Sequence, residues 1–224
     1  MLERYTARDY KLLIFDWDGT LIDSVARIVA CFDRAIADLG LDVRTAQQVQ
    51  NVIGLGLREA ILGLYPEFDD DDITQLVVAY RKHYFSGEIP QSQLFPGVQA
   101  FLRSLHGSGY LLAVATGKGR RGLQKAMMDT GCDDFFHATR TAEETCSKPD
   151  PKMLYELLDE LNIAPAQALM IGDSAYDMEM ARRAEVAALA VEWGVHERER
   201  LMAHSPIACV SAMEQMAQWL LTEA

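Results

Sequence analysis

Disulfide stapling and metal-thiolate chemistry have little material to work with in this chain. Its 224 residues include only four cysteines, Cys31, Cys132, Cys146 and Cys209, widely scattered and without a CxxC pair. That density excludes a disulfide framework, and that spacing excludes a zinc-thiolate site, leaving idle thiols in a reducing compartment. Long apolar runs are also missing. The longest, at 110–115 and 186–191, are six residues each, far short of the roughly 20 needed to cross a bilayer. The opening MLERYTARDY is polar and charged and has no apolar signal core. The expectation is a cytoplasmic protein with no membrane partner. Positive charge is scarce too, since 21 Lys and Arg stand against 33 Asp and Glu for a net charge of −12. A phosphate backbone rewards a positive field, so a nucleic-acid partner is not expected. Any anionic substrate must then be met by a local positive group or a metal ion.

Half of the residues are apolar, ample for a packed core. Residues 11–15 (KLLIF) form a short branched run ended by a carboxylate and a turn signal, which reads as a buried strand. Similar runs recur at 110–115, 168–171 and 186–191, with weaker ones at 135–138 and 207–210. Helix-like stretches at 98–105, 121–130, 151–161 and 176–184 lie between them. Strands alternating with crossover-length helices imply an α/β fold with a parallel sheet covered on both faces. The alternation breaks between Asp23 and about Leu94, where the pattern is helical throughout. Val25, Ile28, Val29, Phe32, Ile36 and Leu39 share one helix face, with Ser24 or Asp23 as its cap and Gly40 as its stop. Ile73, Leu76, Val77, Tyr80 and Tyr84 mark a second helix, and the acidic run 69–72 sits at its dipole-favoured start. The division expected is a core of residues 1–22 and 95–224 with an inserted helical cap at 23–94.

In parallel sheets ligands bind beyond the carboxyl ends of the strands, so the residues there matter most. The first strand ends in DWDGTLID, with Asp16 at its tip and Asp18 two positions on. Two close carboxylates are costly unless a cation or a shared proton stabilises them. The second ends in Thr116-Gly117-Lys118, a hydroxyl, a bare backbone N–H and an ammonium, which together resemble half of an oxyanion site. Lys148 precedes a helix start at Pro149-Asp150-Pro151, and Asp173 and Asp177 flank another helix start after Gly172. Each group alone also fits a capped turn or a solvated helix end. Their convergence in this order at one sheet edge does not.

The ordered set DWDGTLIDS, ATGK, KPDP and GDSAYDM resembles the four motifs of the haloacid dehalogenase-like hydrolase superfamily, in particular its phosphoglycolate phosphatase-like branch with a helical cap. The likeness covers essentially the whole chain. Trp17 stands where Phe, Leu or Met is more usual. The resemblance implies a Rossmann-like core with an inserted cap, and a Mg²⁺-dependent phosphatase acting on a small phosphorylated metabolite. It implies Asp16 as the nucleophile that becomes an aspartyl phosphate, and Asp18 as general acid and base. Thr116 and the Gly117 N–H would hold phosphoryl oxygens, with Lys118 beside them, and Lys148 would balance charge. Mg²⁺ would be ligated by Asp16, the Asp18 backbone carbonyl and Asp173, supported by Asp177. Because Asp18 is acidic, the resemblance favours an oxygen leaving group over a halide. The same acid argues against the phosphonate-cleaving relatives, which lack it and need a Schiff-base lysine in the cap, where the single lysine, Lys82, lies on a helix explained by packing.

Gly54-Leu55-Gly56-Leu57-Arg58 is the candidate cap loop over the site. Gly54 and Gly56 permit close approach, and Arg58 has the chemistry to grip a substrate carboxylate, although a tight turn with a solvated arginine fits the same letters. Hinges are expected near 22–24 and 93–96. Sugar-phosphate mutases of the superfamily keep both aspartates and are the nearest alternative, followed by a non-catalytic phosphate-ligand binder. The five histidines do not cluster, and none is needed for catalysis. A monomer or a homodimer is compatible with all of this.

Overall fold

The apolar runs pair into a sheet. In the computed structural model, which describes residues 10–222, six strands lie parallel in the order β5-β4-β1-β6-β7-β8. These are β1 (Leu12–Phe15), β4 (Leu111–Thr116), β5 (Ala138–Thr141), β6 (Ala168–Gly172), β7 (Ala187–Val191) and β8 (Ala208–Val210). β1 is central, with Leu12 paired to Leu111 on one side and Ala168 on the other. Every residue of β1 is fully buried, because both faces of a parallel sheet are covered. Leu13 and Phe15 enter the layer formed with α5 (Val98–Gly107), α6 (Arg120–Thr130) and α10 (Met213–Thr222). Leu12 and Ile14 enter the opposite layer, with α7 (Lys152–Leu161), α8 (Ala175–Arg183) and α9 (Arg198–Met202). The strand order runs outward from β1 first through β4 and then through β6. A crevice therefore opens at the carboxyl end of β1, the switch point of the sheet.

Between β1 and α5 the chain leaves the sheet through β2 (Ile22–Asp23) and returns through β3 (Gln93–Leu94). The two pair antiparallel, Ile22 with Leu94 and Asp23 with Gln93. Within the excursion lie α1 (Val25–Asp38), α2 (Ala46–Gln50), α3 (Leu57–Leu64) and α4 (Asp70–Phe85). They pack around a separate apolar cluster that includes Ile28, Phe32, Ile61 and Leu76. Asp69 caps α4 by accepting from the N–H groups of Asp71 and Asp72, so the acidic run has a structural cause.

Several boundaries differ from the sequence reading. The weak strand expected at 135–138 begins only at Ala138 and continues through the polar residues Thr139–Thr141, preceded by a 3₁₀ turn at Asp133–Phe135. As the edge strand of the sheet, it has only one strand neighbour and tolerates polar side chains. Ser24 occupies the N-cap position of α1, but its hydroxyl is buried and accepts no capping bond. Pro151 is the N-cap of α7 rather than its first helical residue. All four cysteines are free thiols. Among the described residues no helix is long and apolar enough to cross a membrane, and residues 1–9 of the polar opening segment lie outside them.

Candidate active site

Asp16 follows β1 directly, and its carboxylate is tied from two sides. The Trp17 backbone N–H donates to Oδ1 at 2.7 Å, and Lys148 Nζ lies 2.8 Å from the same atom. Oδ2 is buried and has no hydrogen-bonding partner. The Trp17 side chain is fully buried, with its ring edge-on to Phe136. Its contribution to the site therefore comes through the backbone.

Lys148 bridges two acids, lying 2.6 Å from Asp177 Oδ1 as well. It is fully buried, which alone would lower its pKa, yet the charges of Asp16 and Asp177 hold it above the ordinary ammonium range. The other Asp177 oxygen accepts from the backbone N–H and hydroxyl of Ser174, at 3.0 and 2.6 Å. This is a capping box at the start of α8. Asp173, at the end of β6, accepts from the Thr20 hydroxyl at 2.6 Å and the Val195 N–H at 2.8 Å. Gly19 has φ +85°, and any Cβ there would overlap the Asp173 carboxylate. Only glycine both turns the chain at this point and leaves room for that side chain.

Oxygens of Asp16, Asp173 and Asp177 lie within 4.8 Å of one another, all buried. Burial raises the Asp16 carboxyl well above the usual range, Lys148 counteracts it, and Asp177 and Asp173 add to it. Asp173 is pushed up to about 7 by burial and then by the charge of Asp177. One ammonium does not balance three buried carboxylates. Together with the unpartnered Asp16 oxygen, this all-oxygen set fits a hard divalent cation. The carboxylate of Asp18 lies outside that trio. It faces Lys118, whose Nζ is 2.8 Å from each of its oxygens.

Thr116 ends β4 beside them, its hydroxyl accepting from the Lys118 N–H at 3.1 Å. Gly117 meets the inserted helical segment directly, for a Cβ there would overlap the carbonyl oxygens of Leu55 and Gly54. The loop is fixed further by Gly56 N–H donating to Ser147 Oγ at 2.7 Å and by Tyr176 donating to the Asn51 carbonyl at 2.8 Å. Arg81 of α4 also pairs with Glu143 of the core. Between the two parts lies a cavity of about 260 Å³, with Asp16, Asp18, Thr116, Gly117 and Lys118 on its core side and Gly54 on the other.

The structure thus brings Asp16, Asp18, Thr116, Gly117, Lys118, Lys148, Asp173 and Asp177 together, with Gly54 facing them. Arg58 does not join them. It pairs with Asp70 at 2.5 Å, both side chains at least half exposed, and it does not line the cavity. Gly56 is buried against Ser147 and does not line it either. Thr20, Ser174 and Val195 also belong to the site, because they orient the acids. Ser174 carried a readable signal, because Ser-x-x-Asp before a helix is a capping pattern. Val195 acts through its backbone N–H, which no side-chain motif announces.

A family profile described as haloacid dehalogenase-like hydrolase matches residues 13–191. The chain is 34% identical to a Dickeya dadantii protein named Probable phosphatase IndB, over 92% of this chain and 91% of that one. It is 29% identical to a protein of Vibrio vulnificus named phosphoglycolate phosphatase, over 98% of this chain and all of that one. A crystal structure from Bacteroides fragilis, described as a haloacid dehalogenase-like hydrolase, superposes with a TM-score of 0.85 at 28% identity. It covers 92% of this chain and 99% of that one.

Proposed function

The chain belongs to the haloacid dehalogenase-like hydrolase family, and from that premise we propose that it is a Mg²⁺-dependent phosphatase that hydrolyses a small phosphate monoester through an aspartyl phosphate on Asp16. The observation that carries the reading is the state of Asp16. It stands at the switch point of the sheet and lines the cavity, with one oxygen held by Lys148 and the other buried and unpartnered.

Phosphate monoesters hydrolyse extremely slowly in water, so positioning and charge neutralisation must supply most of the rate. Asp16 attacks phosphorus, forming an acyl phosphate as the ester oxygen departs. Asp18 gives that oxygen its proton, then takes one from the water that attacks the acyl phosphate, which frees Asp16 and inorganic phosphate. The Thr116 hydroxyl and the Gly117 N–H donate to phosphoryl oxygens, and Lys118 and Lys148 offset their charge. Asp16, Asp173 and the Asp18 backbone carbonyl would hold the cation, with Asp177 in support, and when bound it supplies charge neutralisation and alignment of the phosphoryl group. We assign residues 23–94 as a cap that opens about 22–24 and 93–96 to admit substrate.

The test is inorganic phosphate release from a panel of esters, with and without Mg²⁺, by the wild type and by Asp16→Asn. Release that requires Mg²⁺ and is absent from a folded Asp16→Asn protein is expected. Equal release by that variant would remove Asp16 as the nucleophile. Hexose phosphates in the panel separate the mutase alternative, because a mutase would return an isomeric phosphate ester in place of free phosphate.

A further inference from the structure

The cavity above Asp16 has two unlike halves. Its core side is polar, built from Asp16, Asp18, Thr116 and Lys118. The side contributed by the inserted helices is mainly apolar, with Ile28 and Phe32 of α1, Ile53 and Leu57 around the loop, and Phe85 of α4, while Tyr80, Arg81 and Tyr84 of α4 add its polar atoms. Ile28 and Phe32 lie one turn apart on one helix face, so the stripe that builds the insert's own core also walls the cavity.

The charged groups in the cavity lining are mostly engaged with one another. Arg81 is paired with Glu143, and Lys118 with Asp18. Arg121, exposed at the start of α6, lies over the Phe85 ring at 4.4 Å from its centroid. Arg58, which would have met a carboxylate, is turned away to Asp70. A leaving group rich in hydroxyls or carrying a carboxylate would give up its hydration here and find few partners. Apolar surface placed against the same wall gains in proportion to the area removed from water. Size agrees as well, since an apolar cavity of about 150 Å³ is enough to hold benzene, and this one measures about 260 Å³.

We infer that the substrate is a phosphate monoester whose alcohol carries an apolar, ring-bearing group, rather than a small hydroxy acid or an open polyol. This rests on the phosphatase reading of the same site. The ring packs against Phe32, Leu57 and Phe85 while the phosphoryl group meets Asp16.

The experiment compares kcat/KM, with Mg²⁺ present, for benzyl phosphate, glycerol 3-phosphate and phosphoglycolate. All three leave as alcohols rather than phenols, so a benzyl preference cannot come from a phenolate leaving group. Benzyl phosphate is expected to exceed each of the others at least ten-fold. In Leu57→Asn and Phe85→Ser that ratio is expected to fall at least five-fold. Calorimetry with benzylphosphonate and phosphonoacetate gives a readout free of turnover, and benzylphosphonate should bind at least ten-fold tighter. Hydrolysis that favours glycerol 3-phosphate or phosphoglycolate, or equal binding of the two phosphonates, would overturn the inference and leave the phosphatase standing. No phosphate release from any of the three esters would overturn the phosphatase reading and the inference with it.

Discussion

The ammonium of Lys118 lies 2.8 Å from each carboxylate oxygen of Asp18, across 100 positions of sequence. Both side chains are about nine-tenths buried, and the ring of Tyr84 covers the ammonium at 4.9 Å. Burial alone would lower the Lys118 pKa, but the charge of Asp18 and contact with Tyr84 hold it above the ordinary range. The sequence placed Lys118 against substrate. In the structure its immediate partner is the proposed general acid.

Lys118→Met should therefore disturb catalysis through Asp18 as well as through phosphate binding. In a double-mutant cycle with Asp18→Asn, the two substitutions are expected to be non-additive in stability by roughly 0.5–3 kcal/mol. Urea denaturation of the four proteins provides the measurement, and additive losses would show that the contact carries no coupling.

Lys148→Met leaves the buried Asp16 and Asp177 without their cation. Breaking a buried pair in this way costs about 3–5 kcal/mol, and that loss is expected in urea denaturation of the metal-free protein. Loss within 1 kcal/mol would mean that the acids find another counter-charge.

Metal and pH should act on one another. The raised pKa of Asp173, about 7, means that the metal-free fold keeps a proton which the unfolded chain gives up near pH 4. The stability this confers is complete below about pH 4 and is lost as pH rises through about 7. A cation needs the carboxylate ionised, so it competes with that proton. The rise in melting temperature on adding Mg²⁺ should therefore be larger at pH 8 than at pH 5.5. Scanning fluorimetry at both values checks this, and an increment that shrinks with rising pH would contradict it.

Arg58→Ala should leave the KM for phosphoglycolate within two-fold of the wild type, because the guanidinium is occupied by Asp70 outside the cavity. A ten-fold rise would bring Arg58 back into the site.

The strands and the acids at their ends were legible because buried parallel strands leave continuous apolar runs, and because each chemical group follows such a run directly. β5 lies later than the weak run at 135–138 that signals it, since an edge strand reading Ala-Thr-Arg-Thr has no apolar signature to fix its bounds. The paired β2 and β3 are two residues each, too short for any periodicity to show. Arg58 was misplaced for a tertiary reason. Its partner is the first residue of α4, twelve positions away, and only the packing of α3 against α4 brings the two together. The apolar wall was hidden in plain view, since Ile28, Phe32 and Tyr80 were fully explained as core and nothing in their spacing tells which edge of a core faces a cavity.

The pairing of Ile22 with Leu94 bears on how such a protein can change over evolutionary time. Because the outbound and returning chain are clasped side by side, the helices beyond the clasp amount to a long loop whose ends are already joined. Lengthening a loop adds closure entropy only slowly, and no register of the six-stranded sheet depends on what lies past that clasp. On the proposed reading, one set of helices is thus exchangeable for another at a single junction, so the chemistry beneath can be inherited unchanged while the choice of molecule is renewed.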